Sequence, residues 1–88
     1  MIINMNIHEY KGQGITLEWE DDYKIYAKLN VDRKYVNIAA NRPGLISLAR
    51  HLLTLAQDGI PNGYDLHLDD GNSLEKGSCE LILERIED

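Results

Sequence analysis

The chain has one cysteine, Cys79, and nothing to pair it with, so an intramolecular disulfide is excluded and a reduced, cytoplasmic setting is the expectation. No apolar run approaches the ~20 residues that a membrane-crossing helix needs. The start, Met1-Ile-Ile-Asn-Met-Asn-Ile, lacks the basic residues and the small-residue cleavage site of a signal peptide. Positive charge is also scarce. Nine Lys and Arg against 15 Asp and Glu leave a formal charge of −6 and a pI near 4.9. Phosphate binding needs a basic footprint, so nucleic acid is not an expected ligand. The same acidity suits a basic protein partner, although it also serves simply to keep a small protein in solution.

What is present is enough for one core. Eighty-eight residues, 43% of them hydrophobic, make a single α+β domain over residues 1–88. The stretch Asn41 to Gly59 organises it. At 100° per residue, Leu45, Ile46, Leu48, Ala49, Leu52, Leu53, Leu55 and Ala56 fall in one half of the circumference, and Ser47, Arg50, His51, Thr54, Gln57 and Asp58 fill the other. This predicts an amphipathic helix over residues 43–58 that buries its leucines, with Leu52 near the middle of the arc. Pro43 fits the first turn, Asn41 or Arg42 is the cap, and Gly59 with Pro61 stops the helix.

Alternation elsewhere predicts strands. Ile3, Met5 and Ile7 share one side of the first. Ile15, Leu17 and Trp19 lie inward on the second. Ile25, Ala27, Leu29 and Val31 do so on the third, and Val36, Ile38 and Ala40 on the fourth. Matching the inward faces puts Trp19 opposite Ile25 and Glu20 opposite Lys24. After the helix, Tyr64 to Asp69 alternates. Leu74 reads as a cover for one edge of the core, and Cys79 to Ile86 is a last strand with apolar residues on both faces, as in a central position. The expected architecture is a mostly antiparallel sheet of about six strands with the helix across one face, in the order β-β-β-β-α-β-β.

No motif supports chemistry. His67 and Asp69 point the same way from a strand, but two ligands are too few for zinc, and His51 lies on the helix's polar side. Cys79 has no helix N-terminus or cationic pocket to activate it, with His67 as the only base proposed for it, and reads better as a small buried residue. Asp69, Asp70 and Asn72 beside Gly71 faintly resemble a calcium loop, but its glutamate position holds Gly77. Gly12-Gln-Gly14 precedes no helical pattern and is no phosphate loop. There is no triad, Walker or kinase signature. No catalytic residue, metal or cofactor is expected.

The second half carries a resemblance. Pro43-Gly-Leu-Ile-Ser-Leu-Ala-Arg-His-Leu-Leu-Thr-Leu-Ala, Gly63-Tyr-Asp-Leu-His-Leu-Asp-Asp, and Ser73-Leu-Glu-Lys-Gly-Ser with Glu80-Leu-Ile-Leu-Glu resemble immunity protein family 32 of bacterial polymorphic-toxin systems, over residues 43–86. The resemblance implies a small cytoplasmic α+β protein that binds a toxin domain and blocks it without catalysis. A partner then has the sheet's other face, the loops or the edges; the other face holds Tyr26, Tyr35, Asn37, Asp65 and His67, with Asp69 beside them and Glu18, Glu20, Asp21 and Asp22 at the end of one hairpin, and the loop from Asp70 to Ser78 is the next candidate. Tyrosine is enriched at interface hot spots, and the carboxylates suit a basic toxin. The competing reading is a structural or regulatory module, a homodimer joined through a sheet edge or that same face.

Overall fold

The computed structural model describes residues 1–88. The chain forms β1 (Ile25–Asn30), β2 (Tyr35–Ala40), α1 (Arg42–Leu55), β3 (Asp65–Leu68) and β4 (Leu81–Glu84). It is α+β, but the expected single sheet of about six strands is not made. There are two antiparallel pairs, β1–β2 and β3–β4. In the first, Ile25 faces Ala40, Ala27 faces Ile38 and Leu29 faces Val36 on one surface; Tyr26, Lys28 and Asn30 face Ala39, Asn37 and Tyr35 on the other. Asn30 sets the turn by accepting the Arg33 amide at 2.9 Å. In the second pair Leu66 faces Leu83 and Leu68 faces Leu81. Hydrogen bonds from Gly63 to Arg85 and from Arg85 to Tyr64, each 2.8 Å, prolong that ladder. No helix is long and apolar enough to cross a membrane.

The two expected N-terminal strands, Ile2–Ile7 and the one holding Ile15 to Glu20, are absent because the edge of β1 meant for them is taken. Residues 75–79 lie along it: the amides of Glu75 and Cys79 donate to the carbonyls of Ile25 and Ala27 at 2.8 Å, and the Ser78 hydroxyl accepts the Ala27 amide at 3.1 Å. Trp19 therefore does not pair with Ile25, nor Glu20 with Lys24; Ile25 pairs with Ala40 instead. Alternation survives in the burial of the N-terminal run, where Met5, Ile7, Ile15, Leu17 and Trp19 are half-buried. The run lies against the helix. Gln57 donates to the His8 carbonyl and accepts the Tyr10 amide, Ser47 accepts the Glu20 amide at 2.9 Å, and Arg50 meets the Glu20 carboxylate at 3.0 Å.

This contact reverses the expected face of the helix. Ser47, His51 and Thr54 are buried, while Leu45, Leu52 and Leu53 are each more than half exposed. Ser47 and Thr54 can go inside because each hydroxyl donates to the carbonyl four residues back, Pro43 and Arg50 respectively, leaving no orphan donor. Leu52 is not the centre of the core, and truncating it opens no core cavity. The core is Ile25, Ala27, Leu68 and Leu74, with Trp19, Tyr23, Ala40, Leu48, Cys79, Leu81 and Leu83 packed around it. Leu74 does cover the core as expected. Leu81 and Leu83 point inward, but Ile82 is half exposed, so β4 is not a strand buried on both faces.

Both helix ends are tied to the sheets. Asn41 is the cap: its Oδ1 accepts the Gly44 amide and the Lys24 amide, each at 2.9 Å, and its Nδ2 donates to the Asp22 carbonyl. At the other end, where Ala56 rather than Gly59 is the cap, Arg85 donates to the carbonyls of Leu55 and Gln57 at 2.7 and 2.8 Å, supplying positive charge at the negative end of the helix dipole. Gly44 sits where a Cβ would strike the Lys24 carbonyl and press on Ile25 and Ala40. Gly44→Ala should therefore cost about 1–3 kcal/mol and Asn41→Ala about 2 kcal/mol in urea unfolding. A Gly44 variant as stable as the parent would show that the helix does not start against β1.

Candidate functional site

The outer surface of β1–β2 carries Tyr26, Tyr35 and Asn37 together. Tyr26 is 40% exposed and Tyr35 46%. Tyr26 stands opposite Ala39, whose methyl leaves the ring open, and Asn37 is opposite Lys28. The Tyr35 hydroxyl accepts from Asn30 at 3.3 Å, which holds the ring along the strand. Two large rings with polar tips and a carboxamide form a surface suited to contact, not to chemistry.

Asp65 and His67 stand on the other sheet, on the solvent side of β3. The His67 ring meets Asp65 at 3.3 Å through Nε2 and Glu80 at 3.4 Å through Nδ1. The hydrogen bond to Glu80, then that to Asp65, raises its pKa above the ordinary histidine value. Both nitrogens face carboxylates, so His67 is not the base for Cys79. Asp69 is occupied by its own turn, where Oδ1 accepts the Gly71 amide at 2.8 Å and its carbonyl accepts the amides of Ser73 and Leu74. No hydrogen bond or ion pair joins the tyrosine surface to the His67 group. Of the acidic residues at the end of the expected hairpin, Glu18 and Glu20 are drawn to His8 and Arg50, and Asp21 and Asp22 stay exposed. No three His, Cys, Asp or Glu side chains converge as a metal site.

Two features escaped sequence reasoning. One is the uncovered leucine face of α1. The other is His51, which is wholly buried with neither ring nitrogen hydrogen-bonded. Its ring packs edge-on against Trp19 with centroids 4.3 Å apart, and Trp19 stacks on Tyr23 at 4.5 Å. Burial, reinforced by the neighbouring Arg50 charge, lowers its pKa to about 4. The clue available in the sequence was the spacing of Ser47, His51 and Thr54, a stripe of residues that can bury with little or no charge.

Residues 35–86, from the start of β2 to just beyond β4, match the family described as Immunity protein 32. The match covers Tyr35, Asn37, Asp65, His67 and Asp69 and leaves Tyr26 outside. No curated protein and no solved structure matches the chain.

His51 gives the protein an acid sensitivity of defined sign. Its folded pKa lies below the ordinary value of 6.5, so the unfolded chain binds the proton first, and stability falls as pH drops from about 6.5 towards 4. The slope should approach ~1.4 kcal/mol per pH unit inside that window. His67 shifts the other way, but it is exposed and its pairs are screened. Urea midpoints at pH 7.5 and 5 should differ for the parent and hardly at all for His51→Leu. Equal acid losses in the two proteins would remove His51 as the cause.

Proposed function

The chain belongs to the immunity protein 32 family, and on that premise we propose that it binds a cognate toxin domain and blocks it by occlusion, without chemistry of its own. The observation that carries this reading is the family match across β2, the helix and the second sheet. The surface we assign to the toxin is the outer face of β1–β2 with Tyr26, Tyr35 and Asn37, with Asp65 and His67 on β3 of the other sheet as a second patch. The two rings contribute contact area that slows dissociation, and a net charge of −6 speeds the approach of a basic partner. A toxin whose own substrate is polyanionic presents such a basic surface. The His67 ring, held between Asp65 and Glu80, adds a positive point to a negative rim when protonated, so binding strengthens or weakens with pH according to the toxin charge it faces.

The test needs a cognate toxin domain, sought among the products of the neighbouring genes. Tyr26→Ala with Tyr35→Ala should weaken binding at least tenfold, about 1.4 kcal/mol, with an unchanged far-UV spectrum. Raising salt from low to physiological should mainly lower the association rate of the parent. A double variant that binds and protects as the parent does would remove this face from the interface.

A further inference from the structure

We propose that the uncovered leucine face of α1 is where a second copy of this chain docks, giving a twofold dimer through paired helices. Leu45, Ala49, Leu52 and Ala56 follow one another at spacings of four, three and four residues, the spacing of a helix-packing seam. Leu45, Leu52 and Ala56 are exposed and Ala49 is half-buried, with Leu53 beside them in the open. The alanines at positions 49 and 56 allow close approach, and the leucines between them supply the knobs. Next to this seam, Leu52 and Ala56 share a groove with Ile82 and Ile86, which are 49% and 71% exposed. The fold has one helix, so no second helix of the same chain packs on the seam.

Area and charge point to a second copy. The chain exposes 6393 Å². A folded monomer of 10.0 kDa is expected to expose about 5,200 Å². The excess over the whole chain, roughly 1,200 Å², includes the α1 seam with Ile82 and Ile86 beside it and exceeds the ~800 Å² that each partner buries in a standard interface. In a twofold pair each surface meets itself, so a charged face repels its own copy. With −6 on each chain, the acidic surfaces are poor sites for self-association. The seam carries no charged residue, and leucine against leucine needs no complement. An antiparallel crossing of two α1 helices satisfies all of this and leaves the outer face of β1–β2 open. The inference does not rest on toxin binding.

Sedimentation equilibrium of the whole chain tests it. The parent should sediment at twice 10.0 kDa in the micromolar range. Screening of the like net charges should make the dimer at 0.5 M salt at least as tight as at low salt. Leu45→Asp with Leu52→Asp should raise the dissociation constant at least a hundredfold. As a milder probe, Ala49→Cys in a Cys79→Ser background should give a covalent dimer on oxidation, while Asn37→Cys in the same background should not. A parent that remains monomeric at 100 µM overturns the proposal, and so does a double aspartate variant that stays dimeric or cross-linking from position 37 alone. None of these outcomes decides whether the toxin is bound.

Discussion

Everything in this fold turns on one carboxamide. The Asn41 side chain caps the helix, accepts the Lys24 amide and donates to the Asp22 carbonyl, while its backbone amide donates to the Lys24 carbonyl. The helix start is thereby fastened to the entrance of β1, one residue after β2 ends. Gly44 then lies on the Lys24 carbonyl, which no side chain would permit. With the helix axis and this contact both fixed, its rotation has no freedom left. Residues within about 60° of Gly44 go inside, Ser47, Leu48, His51 and Leu55, joined on one side by Thr54 at about 80°. On the other side Leu52 and Leu45, at about 80° and 100°, remain outside, as does Leu53 on the opposite face.

That rotation explains where sequence reasoning succeeded and where it failed. The helix and its proline start were legible, and the cap was narrowed to Asn41 or Arg42, because capping and periodicity are local properties. So were the strands that hold Tyr26, Tyr35, Asn37 and His67, since alternation needs only the strand's own register, although Leu29, Val31, Val36 and Ile38, read as inward, are exposed as well. The buried face of the helix was not legible. A leucine-rich arc ordinarily marks the inside, and here it loses to a glycine contact and to hydroxyls that satisfy themselves on the helix backbone. Sheet order was also out of reach. Residues 75–79 take the edge of β1 from a segment about 50 positions distant, with no turn between to announce it. The N-terminal run, although patterned for a strand, then finds its polar partners on Gln57, Ser47 and Arg50.

His51 bears the main cost of that arrangement. A neutral imidazole with two unpaired nitrogens in a buried site is unfavourable by the desolvation of those groups. What offsets it is aromatic: the ring fits edge-on to Trp19, and Trp19 lies flat on Tyr23 just before β1. The histidine thus links helix, N-terminal run and first sheet at one point, and the link holds only while the ring is neutral. Arg50 next to it, kept in place by the Glu20 carboxylate, makes a second positive charge there still less welcome.

The same geometry divides the exterior by chemistry. Strands β1 and β2 turn rings and amides outward, β3 turns a histidine held between carboxylates outward, and the helix turns outward a seam with no charge. A negatively charged protein cannot use one kind of surface for every partner. Charge attracts an opposite surface and repels its own image, whereas an uncharged leucine seam does neither and rewards only shape. A positively charged partner approaching through solvent would meet the field of the whole molecule and would not need the leucines to be steered. A second copy meets that field as a repulsion and must gain its stability from buried apolar area alone. The rotation imposed at Asn41 and Gly44 therefore leaves on the helix an uncharged apolar surface separate from the tyrosine face.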